Sequence, residues 1–232
     1  MSAETMAALA AMRPGIFTVW SLVAVPAIAA LYCMGFIFKR PGMEKYYVIP
    51  KCTGSFLCVG SAALAIALKG GDGSGKMLVA ALALCMLGDF LIEYKLLAGG
   101  TAFGIAHIVL VLYALFQIPL TAPTVLLWVV GIVIMLLIFH KEIPQMGEYF
   151  IPFLAYVAIL VGDVVTAAML AFYDSAYTPY ALGLLCFVAS DTILGKRQFG
   201  HDHPALPKIL MALYYMALYL IAASLWFTSD IL

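Results

Sequence analysis

The chain has 232 residues, of which 66% are hydrophobic and 10% charged. Its mean hydropathy of +1.09 lies far outside the range of water-soluble domains. Twelve Lys and Arg balance twelve Asp and Glu with no basic stripe, so nucleic-acid binding is excluded as a function class. Apolar runs recur from end to end, and the expectation is an all-α polytopic membrane protein: one integral domain over residues 1–232 forming an eight-helix transmembrane bundle.

In chain order, a short tail ends at Arg13-Pro14-Gly15, and the first span covers residues 16–38. That run is too long for a signal-peptide core and is kept as a true span. The cluster from Lys39 to Lys45 stops it, and a second span, 47–68, carries Lys51 one turn inside its start. A glycine-rich loop leads to the third span, 77–94, which contains Asp89. The fourth, 101–120, contains His107; Pro119 and Pro123 turn the chain into the fifth, 124–139. The sixth, 149–173, contains Asp163, the seventh, 179–194, contains Asp191, and the eighth, 206–227, contains Tyr214 and Tyr215.

Eight spans put both termini on one face with Arg13, Lys69 and Lys76, and place the other nine Lys and Arg of the 12 on the opposite face. This bias makes the face bearing Lys51, Lys95 and Lys196 cytoplasmic. A carboxylate near the bilayer centre costs about 3 kcal/mol, so each aspartate within a span needs a reason. Asp89 lies six residues before Lys95 and Asp191 five before Lys196, so both sit roughly 8–9 Å inside that face. Lys51, His107, Tyr214 and Tyr215 converge on the same layer. Asp163 lies about 20 Å in from the start of its helix and is expected to stand outside the site.

Gly88 and Ser190, one residue before each aspartate, predict close packing of the third helix on the seventh. The likeness of the two stretches also raises a four-plus-four repeat. Two carboxyls at one depth form an acid and a base, because each charge disfavours the other and burial disfavours both. The competing reading is that each aspartate neutralises a buried Lys or His to hold helices together.

Three motifs are set aside. Gly70 to Met77 imitates a phosphate loop but ends in Met77 where a hydroxyl is required, and it joins two spans. His201-Asp202-His203 lacks a third spaced ligand and reads as a polar turn, so no metal is expected. Lys208 starts the last helix, which does not suit a retinal Schiff base. The five cysteines fall inside spans as small packing residues.

Taken in order, these residues resemble the lysoplasmalogenase family of eight-helix membrane proteins, the YhhN-like or transmembrane protein 86 family. The likeness runs from Lys51 through Gly88-Asp89-Phe90-Leu91, Phe103 and His107 to Ser190-Asp191, Phe199 and Tyr214-Tyr215. The chain departs from the family pattern at Cys52, Leu110 and Leu218, where Pro, Tyr and Gln are common. The resemblance implies hydrolysis of the vinyl ether bond of lysoplasmalogens, giving a fatty aldehyde and glycerophosphoethanolamine or glycerophosphocholine. It implies Asp89 and Asp191 as the catalytic pair, without metal or cofactor. Lys51 and His107 would meet the headgroup phosphate or orient a carboxylate, with Tyr214 and Tyr215 beside them. The implied partners are a lysophospholipid and the bilayer, in a bacterial cell membrane or endoplasmic reticulum, with homo-oligomerisation left open. The alternative from another class is a proton-coupled transporter that uses Asp89, Asp163 and Asp191 as a relay. It requires Asp163 as much as the other two, whereas the hydrolase expectation is that Asp163→Asn is tolerated.

Overall fold

A computed structural model describes residues 3–39, 42–43, 46–69, 73–200 and 203–228. Eight α-helices are formed: α1 (Ala3–Phe38), α2 (Val48–Lys69), α3 (Gly73–Ile92), α4 (Leu96–Gln117), α5 (Ala122–Ile138), α6 (Phe150–Tyr173), α7 (Thr178–Phe199) and α8 (Leu206–Phe227). Seven are long and apolar enough to cross a membrane, and the chain is a multi-pass integral membrane protein. The exception is α5, whose 17 residues reach about 25 Å against a hydrocarbon core of about 30 Å. It still carries the chain back across the bundle, because α4 and α6 start at the same end. Gly104 meets Tyr156, and His107 meets Asp163, at similar distances into the two helices.

Several boundaries differ from the sequence expectation: α3 begins at Gly73 and α4 at Leu96, four and five residues early, and two further differences are larger or bear on the site. The residues preceding the first span are helical from Ala3, a stretch rich in alanine, leucine and methionine that favours helix despite Pro14 inside it. The seventh helix runs on to Phe199, so Gly195–Phe199 are helix instead of loop. That extra turn matters, because Gly195, Gln198 and Phe199 line a cavity beside Asp191.

Six helices form a closed ring in the order α2, α3, α4, α6, α7, α8, with α1 outside against α2 and α8 and α5 outside against α6. The main adjacencies repeat when each helix is exchanged for the one four later, while the lesser α1–α8 and α3–α8 contacts have no equally extensive counterpart. Thus α1–α2–α3–α4 has the neighbours of α5–α6–α7–α8, and the closing contacts α4–α6 and α8–α2 exchange with each other. Two glycines allow the closest approaches. A Cβ on Gly99 of α4 would strike Ile92 at the end of α3, and one on Gly183 of α7 would meet the Ala217 carbonyl of α8.

The expected contact of α3 on α7 through Gly88 and Ser190 is replaced by contacts with their chain neighbours. Phe103 of α4 fills the space over Gly88, and Ser190 Oγ donates to the Leu210 carbonyl of α8 at 3.2 Å. Each small residue therefore serves the hairpin it begins. The main core cluster packs α2, α3, α4, α7 and α8, with the end of α6, around residues such as Leu82, Leu110, Phe187 and Leu218. A smaller one gathers Met135, Phe139, Met146, Val157 and Val161 where α5 meets α6.

Candidate functional site

Asp89 sits near the end of α3 and is 1% exposed. The start of the antiparallel α2 lies beside it and supplies Lys51 and, one turn on, Ser55. Ser55 Oγ donates to Asp89 Oδ2, and Lys51 Nζ stands 3.7 Å from Oδ1. From α8, Tyr214 donates its hydroxyl to Oδ2 at 2.7 Å. Lys51 Nζ also donates to Glu93 Oε1 at 2.7 Å. Tyr215 reaches the same place through backbone, its hydroxyl donating to the Lys51 carbonyl at 3.3 Å. Two hydroxyls thus donate to this carboxyl, and a lysine ammonium stands near it.

Asp191 has a different set. Tyr156 of α6 donates its hydroxyl to Asp191 Oδ2, and His107 Nε2 of α4 lies 3.9 Å from the same oxygen. Behind it, His107 Nδ1 meets Asp163 Oδ2 at 2.5 Å, both side chains fully buried. Asp163 was expected outside the site. Although it lies deeper on α6, the imidazole is long enough to bridge the difference and tie it to Asp191.

Aromatic rings stand between the two carboxyls. Phe187 packs edge-on against His107 at 4.5 Å and against Tyr214 at 5.4 Å, and Phe103 packs against both Phe187 and Tyr214. Two cavities open around this cluster. One, of about 250 Å³, is lined by Asp89 and Asp191 together with Lys39, Lys51, Glu93 and Arg197. Two cations lie over Tyr47 there, Lys39 Nζ 4.2 Å and Lys51 Nζ 5.9 Å from its ring centroid, and Arg197 lines the same cavity. The other cavity, of about 380 Å³, runs between α4, α6 and α7 and is almost wholly apolar, with Leu97, Gly100, Ile108, Phe153 and Leu160 among its walls. Both cavities share Asp191, Phe103, Leu194 and Gln198.

Of the residues singled out from sequence, the structure brings Lys51, Asp89, Asp191 and Tyr214 to the polar cavity. His107 and Tyr215 line neither cavity and act on their neighbours, the former on Asp163 and Asp191 and the latter on the start of α2. Three participants were missed: Ser55, Glu93 and Tyr156. Each carried a spacing signal. Ser55 is four residues from Lys51, Glu93 four from Asp89, and Tyr156 seven before Asp163, so each shares a helix face with a residue already noted. Among the described residues no three His, Cys, Asp or Glu side chains are grouped to hold a metal ion. His201 and Asp202 of the set-aside His-Asp-His motif lie outside the described residues, and His203 Nδ1 accepts the Ala205 N–H within a turn. Gly70 to Asp72 of the loop that imitates a phosphate site also lie outside them, while Gly73 begins α3.

Residues 46–225 match the family model described as the YhhN family. No curated protein and no solved structure matches the chain.

Proposed function

The chain belongs to the YhhN family, which includes lysoplasmalogenases, and on that premise we propose that it hydrolyses the vinyl ether bond of lysoplasmalogens. The observation that carries the reading is the meeting of a charged polar cavity, which holds Lys39, Lys51 and Arg197, and an apolar cavity at Asp191. In a lysoplasmalogen the vinyl ether is the first bond of the hydrocarbon chain, at the boundary between polar glycerol and apolar tail. A headgroup phosphate among Lys39, Lys51 and Arg197 and a tail along α4 and α6 set that boundary beside the Asp191 carboxyl. A site just inside the cytoplasmic face suits an amphiphile entering sideways from the leaflet.

We assign the roles from the two environments. Asp89, with two hydroxyl donors and a lysine nearby, serves as the carboxylate; Asp191, open to both cavities with one hydroxyl donor, serves as the acid. Asp191 gives its proton to the distal alkene carbon, forming a C–H bond and an oxocarbenium ion. Asp89 takes a proton from the water that adds to this cation, and a hemiacetal results. In the collapse the hemiacetal hydroxyl returns a proton to Asp191, and the glycerol oxygen leaves with the proton held by Asp89. Aldehyde and glycerophospholipid are released with both carboxyls restored, so this sequence balances within the two side chains.

The relay of a transporter fits less well. The chain of polar groups ends at Asp163, whose Oδ1 has no hydrogen-bond partner among the described residues. The test is release of fatty aldehyde by purified protein from a vinyl ether lysolipid, beside the saturated ether lysolipid as control. Release from the vinyl ether alone is expected. No release by folded protein would overturn the reading.

A further inference from the structure

A buried polar atom without a partner is costly, on the order of 1–3 kcal/mol, and is retained where another state of the molecule uses it. Among the described residues, two such atoms belong to one bonded pair of side chains: His107 Nε2 and Asp163 Oδ1, both side chains wholly buried. The imidazole is fixed at its other nitrogen by the 2.5 Å contact to Asp163 Oδ2 and on its faces by Phe187 and Tyr156, with centroids at 4.5 and 5.8 Å. This leaves the Nε2 edge aimed at Asp191 Oδ2, at 3.9 Å, too far for a hydrogen bond and near enough to become one with a small shift. A pair that served only to hold α4 on α6 would have no need to present an unpaired nitrogen to a third carboxyl.

We propose that Asp163 and His107 are positioning residues for Asp191. The Asp163 carboxylate accepts Nδ1–H and keeps the imidazole protonated, and Nε2–H closes on Asp191 Oδ2 once Asp191 has given its proton to the substrate carbon. The ion pair of Asp163 and His107 is neutral as a unit, which suits its apolar surroundings while Asp191 is still an acid. When Asp191 becomes a carboxylate, the imidazolium is already facing it, so the new charge is met by a donor that needs no reorganisation. Tyr156 donates to the same Oδ2 and completes the cradle. Neither His107 nor Asp163 touches substrate, since they line neither cavity.

The kinetic part of this inference rests on the hydrolase reading, and the test is built to separate the two. In protein labelled with ¹⁵N-histidine, with the His107 signals assigned from His107→Gln, His107 is expected to read as protonated at both nitrogens and to become neutral in Asp163→Asn. That arm needs no substrate. A neutral His107 in the unaltered protein, or one unaffected by Asp163→Asn, overturns the proposal. In the kinetic arm, His107→Gln and Asp163→Asn each lower kcat about a hundredfold. KM, and inhibition by the saturated ether lysolipid, stay within about twofold, and the double variant is no worse than the poorer single because the two act as a unit. Wild-type kcat in Asp163→Asn, or a loss carried by KM and inhibitor binding, overturns it as well. Absence of aldehyde from the unaltered protein would sink the hydrolase reading and leave the histidine signals to decide the pair.

Discussion

Asp89 and Asp191 occupy equivalent places in the two halves of the bundle. Each lies on an inner helix, α3 or α7, and draws its partners from the helix before it and from the helix that closes the ring, α2 and α8 for Asp89, α6 and α4 for Asp191. The partners differ in kind. Asp89 receives a lysine, a serine and a tyrosine, whereas Asp191 receives one tyrosine and the edge of a histidine whose other nitrogen is engaged. One scaffold used twice therefore gives one carboxyl saturated with donors and another left open at the meeting of two cavities. On the proposed mechanism, asymmetry of partners with symmetry of placement is what would separate a base from an acid.

The largest effect that bears on this contrast is loss of either carboxyl. Asp191→Asn should lower aldehyde release about a thousandfold or more, and Asp89→Asn about a hundredfold or more. Both variants should still bind the saturated ether lysolipid, as inhibition or thermal-shift measurements would show. Full activity in either one breaks the pairing.

Next comes the redundancy of the donors. Tyr156→Phe removes the sole hydroxyl on Asp191 and should cost about 10–100-fold in kcat, the value of one hydrogen bond to a charged group. Ser55→Ala leaves Lys51 and Tyr214 on Asp89 and should cost less than about tenfold. Equal losses, compared in steady-state assays at one pH, would remove the asymmetry from the argument.

The cavities give a third contrast. Gly100 lines the apolar cavity, and a Cβ there meets nothing within 4 Å. Gly100→Trp should fold, lower kcat/KM for long-chain vinyl ether lysolipids about tenfold, and spare short-chain ones. Equal loss on both chain lengths would place the tail elsewhere.

The smallest effect lies in the loop beneath α5. Lys196 Nζ donates to the Ile138 carbonyl at 2.5 Å, capping the end of α5, and to Glu142 Oε2 at 2.8 Å. That hydrogen bond holds the Glu142 carboxyl below the ordinary glutamate range. A value depressed in the folded state contributes stability above the unfolded value and loses it as pH falls through the folded one. Glu142→Gln should thus lower Tm by a few degrees at most at neutral pH, for a pair worth about 1 kcal/mol or less, and by nothing in acid. A shift that persisted in acid would mean that the loop depends on shape and not on charge.

Much of this was legible in the sequence. Hydropathy and length set eight helices, because a chain this apolar has no other way to satisfy its backbone within lipid. Asp89 and Asp191 announced themselves by cost, and counting residues from the flanking lysines gave their common depth. The sequence by itself thus determined the class of protein, the layer of the site and most of its ionisable members. Tertiary structure alone decided who meets whom. Depth along a helix says nothing of rotation about the bundle, so the contact of Asp163, a turn or two deeper, with His107 is seen only in the fold. For the same reason, Gly88 and Ser190 joined α4 and α8 and not each other. The division of space into a polar and an apolar cavity that share Asp191 arises because α2, α3 and α8 face α7 on one side and α4 and α6 face it on the other only when the ring closes.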